Sequence, residues 1–144
     1  MQLYFAYGSN LLQSQMTERC PEHRFHSLAK LHDYRFLIGE RGYATIEPSE
    51  GQCVHGVIYE LSQTDENTLD VCEGVAAGRY TKEYHTLIGA AGSIPGVLVY
   101  VDPRVEPASP RDGYMEKILT GAAAFALPTD YQTFLSLFQQ QVRE

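Results

Sequence analysis

Three features of the sequence predict an α+β fold. Strand-like runs fill most of residues 2–61 and return at residues 80–101. Only two helical patterns interrupt them, over residues 10–19 and 62–73. The remaining helical signal, with apolar residues recurring at i, i+3, i+4 and i+7, is confined to the segment beyond Pro110.

Residues 2–7 read as a buried strand. Residues 10–19 read as a short helix with Leu11, Leu12 and Met16 on its apolar side and Pro21 stopping it. From His26 to Ile38 the alternation is imperfect and implies a bend. Tyr43 to Glu47 and Cys53 to Leu61 are read as two short strands parted by a turn at Pro48-Ser49-Glu50-Gly51. Ser62 with Asp65 three residues on is a variant of the capping box, opening a helix that runs to Glu73 and ends at Gly74. Tyr80 to Ile88 and Ile94 to Val101 flank Gly89-Ala90-Ala91-Gly92, which reads as a hairpin connection because it lacks the Gly-Lys-Ser/Thr ending of a phosphate-binding loop. Ser109-Pro110 supplies an N-cap followed by proline at the first helical position. The helix it opens carries Tyr114, Ile118, Ala122 and Phe125 on one face, and a last helix after Pro128 carries Tyr131, Phe134, Leu135 and Phe138.

The 144 residues are expected to form one domain, 1–144, with no repeat or linker, long enough to bury a core without disulfides or metal. Eleven basic residues, scattered singly, face eighteen acidic ones for a net charge of −7, so no nucleic-acid partner is expected. Cys20, Cys53 and Cys72 are odd in number and far apart. They argue for a reducing, cytoplasmic location and against a structural zinc site. No run approaches the ~20 apolar residues of a membrane helix, and the first residues lack the charged n-region of a signal peptide, so no membrane partner is expected either.

Two short motifs carry chemistry. Tyr7-Gly8-Ser9-Asn10 links the first strand to the first helix, and a turn of that kind aims backbone N–H groups at one spot near a positive helix end, where a carboxylate or oxyanion can bind. The same tetrad is also ordinary turn chemistry, with Ser9 or Asn10 as an N-cap. The second motif is Leu69-Asp70-Val71-Cys72-Glu73-Gly74-Val75, followed by Gly78-Arg79-Tyr80. A glutamate at a helix C-terminus opposes the macrodipole at a cost of a few tenths up to roughly 1 kcal/mol. An unfavourable local choice beside a capping glycine points to function.

In order and spacing these two motifs resemble the gamma-glutamylcyclotransferase family. Ala44-Thr45-Ile46, Gly56-Val57-Ile58-Tyr59, Ser109-Pro110 and Tyr114 followed by Gly121-Ala122 fit the same pattern, so the resemblance spans Leu3 to about Tyr131. It implies a small, mixed, mostly closed β-barrel with peripheral helices. It also implies conversion of a gamma-glutamyl amino acid, peptide or amine to 5-oxoproline and a free amine, with no cofactor and no metal. The substrate's own α-amine is the nucleophile, so the protein must supply a general base, oxyanion donors, a returning proton and a grip on the chain. Glu73 is the candidate acid/base, its pKa expected to rise through partial burial and the like charge of Asp70. The resemblance carries over Tyr7, Gly8, Ser9 and Asn10 as pocket residues, and Tyr80 and Tyr114 as phenols able to reach substrate, although the apolar pattern around both also suits simple packing. In oligomeric state a monomer and a homodimer both remain open.

Rival constellations are weaker. Cys72 has no histidine at a local spacing that marks a partner, and it reads as core. His23, His26, His32, His55 and His85 form no H-E-x-x-H pattern. Two alternatives stand beside the cyclotransferase: a non-catalytic domain binding a small carboxylate or peptide, and a biosynthetic cyclotransferase acting on a carrier protein.

Overall fold

The computed structural model describes residues 1–139, so residues 140–144 of the expected domain lie outside it. Five strands close into a barrel in the order β1-β3-β2-β4-β5. β1 (Gln2–Ala6) pairs antiparallel with the end of β3 (Ala44–Leu61), from Gln2 opposite Leu61 to Ala6 opposite Val57. β2 (Arg24–Ile38) forms a long hairpin with β3, and β4 (Thr81–Gly89) forms a second hairpin with β5 (Gly92–Val101) through Ala90 and Ala91. Closure comes from a parallel contact of β1 with β5, Tyr4 opposite Leu98. Phe5, Leu31, Phe36, Ile46, Val57, Leu87 and Leu98 are among the side chains filling the interior.

The expected turn at Pro48–Gly51 is absent, and β3 continues through it. Gly51 has φ +82 and Asp33 opposite it φ +63, and the Asp33 carboxylate accepts the Gly51 N–H at 3.0 Å. An irregularity in both strands, where the pairing slips between His32 and Tyr34, takes the place of a chain reversal. It is also the bend that the broken alternation of residues 26–38 implies.

The helices pack outside the barrel: α1 (Gln13–Arg19), α2 (Gln63–Cys72), α3 (Tyr114–Ala124) and α4 (Thr129–Gln139). Ser62 caps α2 as its sequence predicts, its Oγ accepting the Asp65 N–H at 3.1 Å. The Asp65 carboxylate accepts instead from the Glu22 N–H at 3.1 Å and ties α2 to the loop after α1. α3 begins later than Ser109-Pro110 suggests, with Gly113 at φ +77 in the cap position. It lies across a short 3-10 turn, Ser9–Leu11, that follows β1. Contact there is backbone-close: a Cβ at Gly121 would overlap the Leu11 carbonyl and come within 2.6 Å of Leu11 Cβ. In this way α3 brings Tyr114 over Gly8 and Ala44. No described helix is long and apolar enough to cross a membrane.

Candidate active site

At one end of the barrel a cavity of about 300 Å³ opens between the 3-10 turn, the loop joining β2 to β3, the end of α2 and the start of α3. Glu73, Tyr7, Gly8, Ser9, Asn10, Tyr80 and Tyr114 all line it. Residues spread over more than a hundred positions of sequence are thus gathered into one space, and Glu73 is the one carboxylate among its described lining residues.

Glu73 is placed by the way α2 ends. It occupies the C-cap, and Gly74 follows in the left-handed region at φ +64. The Gly74 N–H donates to Val71 O and the Val75 N–H to Asp70 O, each at 3.0 Å, the paired bonds of a Schellman motif. The Arg79 side chain lies across Gly74, where a Cβ would sit 2.7 Å from Arg79 Cδ. Burial raises the Glu73 carboxyl to about 7, against the opposing pull of the Arg19 and Arg41 charges. Asp70, expected to contribute by like-charge repulsion, has no part in this shift. Its carboxylate accepts from Lys82 Nζ at 3.0 Å and from the Tyr100 hydroxyl at 2.6 Å, and these bonds occupy it elsewhere. Desolvation alone lifts the glutamate.

The facing wall is the Gly8–Asn10 segment, and it differs from expectation in a useful way. The α-helix starts only at Gln13, with Leu12 as its N-cap, so the wall is a 3-10 turn rather than a helix end, and neither Ser9 nor Asn10 caps a helix with its side chain. The first hydrogen bond of the turn runs from Leu11 N–H to Gly8 O at 3.0 Å, so the amides of Ser9 and Asn10 precede it and have no hydrogen-bond partner among the described residues. Their side chains are organised by α1. Gln15 Nε2 donates to Ser9 Oγ at 2.7 Å and to Asn10 Oδ1 at 3.0 Å, and Arg19 Nη1 donates to the same Asn10 oxygen at 3.2 Å. Asn10 in turn donates to the buried Tyr4 hydroxyl at 2.9 Å.

The three nominated phenols are differently committed. The Tyr7 hydroxyl donates to the Tyr100 carbonyl and the Tyr80 hydroxyl to the Ala44 carbonyl, each at 2.6 Å, so both brace the barrel rim. Tyr114 instead accepts the Ala44 N–H at 3.1 Å and has the Ser9 side chain as a hydrogen-bonding neighbour, so its hydroxyl is not spent on a backbone carbonyl. Burial raises the pKa of all three, so they remain protonated donors at neutral pH.

Sequence reading missed the cations. Arg19, Arg41, Arg79 and Lys117 line the cavity, four of the eleven lysines and arginines in a chain of net charge −7. Each stands alone in its own segment, so the basic cluster exists only in three dimensions. Gln15, Tyr4, Tyr43 and Tyr100 also line the cavity and were equally hidden. Cys72, read as core, is exposed and lies at the cavity edge, because α2 turns its last residues towards solvent. No group of three metal-ligating side chains occurs among the described residues.

Residues 53–135 match the AIG2-like family. The gamma-glutamylcyclotransferase of Homo sapiens is 33% identical, the alignment covering 95% of this chain and 78% of the human protein. That of Bos taurus is also 33% identical, with 93% and 77% covered. A solved structure of a gamma-glutamyl cyclotransferase, 33% identical, superposes with a TM-score of 0.87 over 94% of this chain and 86% of the other. With barrel, cavity and relatives in agreement, the chain belongs to the gamma-glutamylcyclotransferase family of enzymes.

Proposed function

We propose that the protein is a cofactor-free gamma-glutamyl cyclotransferase in which Glu73 moves the protons. The observation that carries this reading is a lone carboxylate, Glu73, raised to about 7 by burial in a cavity it shares with four cations, several phenols and the Gly8–Asn10 turn. A base of ordinary carboxylate pKa is poorly matched to an ammonium, and one near neutrality is better suited while still being largely ionised above pH 7.

Glu73 takes a proton from the substrate's α-ammonium. The amine so freed attacks the γ-carbonyl carbon of the same molecule, forming the ring C–N bond as the carbonyl electrons move onto oxygen. The amides of Ser9 and Asn10 and the Tyr114 hydroxyl are the donors available to that oxyanion. Collapse of the intermediate breaks the bond to the departing nitrogen. Of the three ammonium protons, one stays on the lactam nitrogen and two leave with the amine, carried across by Glu73, which ends as the carboxylate it began as. Arg19, fixed on Asn10, is placed to meet the substrate's α-carboxylate.

The reaction class is tested with a substrate whose α-amine is acetylated. Its nitrogen has lost the nucleophilic lone pair and the transferable proton, and no product should form from it, whereas the free-amine compound should give 5-oxoproline and amine in equal amounts. Amine and N-acetylglutamate released from the acetylated compound would mean that water is the nucleophile, and would replace cyclotransfer by hydrolysis.

The pH dependence has a definite sign. Because the active form of Glu73 is the deprotonated one, kcat/KM should rise about tenfold per pH unit below about 7 and level off above it. Steady-state rates between about pH 5 and pH 8.5 check this. A profile already level at pH 5 would mean that the base titrates as an unperturbed carboxylate, and would overturn the reading of Glu73 as a proton carrier tuned by burial.

A further inference from the structure

We propose that Arg41 is a specificity-determining residue that reads a carboxylate on the departing half of the substrate, an inference that rests on the cyclotransferase reading above. Arg41 stands in the loop between β2 and β3 and reaches into the cavity. Its Nε donates to Asp102 at 2.9 Å, while Nη2 is buried and has no hydrogen-bond partner among the described residues. A buried guanidinium N–H left unpaired costs free energy, and a carboxylate accepting from it removes that cost.

The surroundings hold this guanidinium in place without spending its charge. Asp102 is buried and is shared with Arg104, whose Nη1 lies 3.1 Å from its other oxygen, so two cations face one anion and a positive charge is left over. The Asp102 backbone is itself pinned by buried Thr45, which donates to Asp102 O at 2.8 Å and accepts the Asp102 N–H at 2.9 Å. The rings of Tyr80 and Tyr43 flank Arg41, their centroids 5.3 and 5.6 Å from its central carbon. Preorganisation of this kind suits recognition rather than surface solvation.

The other cations are placed for other tasks. Arg19 is fixed on Asn10, Lys117 donates to Gln15 at 3.0 Å, and Arg79 is exposed. Arg19 and Arg41 line the same cavity as Glu73, and theirs are the two charges that act on it. In a gamma-glutamyl amino acid both nitrogens that exchange protons with Glu73 bear a carboxylate two bonds away. With Arg19 taking the one beside the attacking amine, Arg41 is left for the one beside the departing nitrogen. A gamma-glutamyl amine lacks that second carboxylate and leaves Nη2 unpaired.

The test compares gamma-glutamylalanine with gamma-glutamylalaninamide, assayed for 5-oxoproline in the wild type, Arg41→Gln and Arg41→Lys. The wild type should favour the acid. Arg41→Gln should lower the acid-to-amide ratio of kcat/KM by about 10–100-fold, mainly through KM for the acid, and Arg41→Lys should recover part of it. Because both substrates are read on one preparation, the ratio does not depend on the folded fraction. If Arg41→Gln turns over neither substrate, the ratio in Arg41→Lys decides, and a wild-type ratio there overturns the inference. Equal loss on both substrates, with a shifted pH midpoint, would assign Arg41 to Glu73 instead and overturn it as well. A wild type indifferent to the pair overturns this inference alone, whereas 5-oxoproline from neither substrate overturns the cyclotransferase reading together with it.

Discussion

Replacing Glu73 by Gln should lower 5-oxoproline formation by about 10²–10⁴-fold, the usual range for losing a general acid/base. The amide keeps the size and polarity of the side chain, so substrate should still bind. The substitution also has an opposite, independently measurable effect on stability. The native state holds a proton on Glu73 up to about pH 7, whereas the unfolded chain releases it at the ordinary carboxylate value of 4.5. Between those values the native state binds more protons, so stability from this group is fully present below 4.5 and is lost as pH rises through about 7. Gln carries no such dependence. At pH 8 the variant should therefore be more stable than the wild type, by an amount on the order of 3 kcal/mol, and the gap should close towards pH 4.5. Thermal melts at the two pH values, run beside the assay, separate lost chemistry from lost fold. Near-normal turnover by Glu73→Gln would remove this residue from the mechanism.

Gly121→Ala should be the most damaging small substitution outside the cavity. Alanine in the middle of a helix normally gains about 1 kcal/mol over glycine. Here the added Cβ would overlap the Leu11 carbonyl, a backbone group that has no rotamer to escape by, and overpacking typically costs about 1–3 kcal/mol. Relief requires α3 to move off the 3-10 turn. That movement would carry Tyr114 away from Ala44 and Gly8, and a displacement of about 1 Å in such a wall can cost roughly 10²-fold in rate. Both stability and kcat/KM should fall, whereas Thr120→Ala on the exposed side of α3 should stay within about 0.5 kcal/mol of the wild type. A Gly121→Ala protein as stable and as active as the parent would show that the packing of α3 on the turn does not hold the site together.

Much of this architecture was legible because local chemistry and tertiary structure agree. The Ser62 cap, the left-handed Gly74, the Gly89–Gly92 hairpin and the apolar faces of α3 and α4 each state their role in a few residues. Where they disagree, reading fails in identifiable ways. Pro48-Ser49-Glu50-Gly51 has the composition of a turn, but the pairing of β3 with β2 on both sides absorbs it as an irregularity. Ser109-Pro110 has the form of a helix start, yet the chain reaches α3 only after Gly113. At the site, Glu73 and the Gly8–Asn10 wall announce themselves because each is tied to a backbone device. Arg19, Arg41, Arg79 and Lys117 are single cations in four separate segments, and only closure of the barrel makes them neighbours. The origin of the Glu73 shift was hidden for a related reason. Asp70 is close in sequence, but its partners Lys82 and Tyr100 lie on β4 and β5.

The parallel seam between Tyr4 and Leu98 has a consequence for synthesis. β1, made first of the five barrel strands, has one neighbour in β3 and the other in β5, made last of the five, so the barrel stays open until β5 has emerged. During that interval Phe5 and Ala6, later fully enclosed, have no ring of strands around them. A seam that joins positions as far apart in sequence as Tyr4 and Leu98 raises contact order, and folding slows as contact order rises. Nascent chains stopped before β5 would have Glu73 and the Gly8–Asn10 turn already synthesised but no cavity to hold them. The cavity is complete only once β5 has joined the barrel and α3 has laid Tyr114 and Lys117 along its wall.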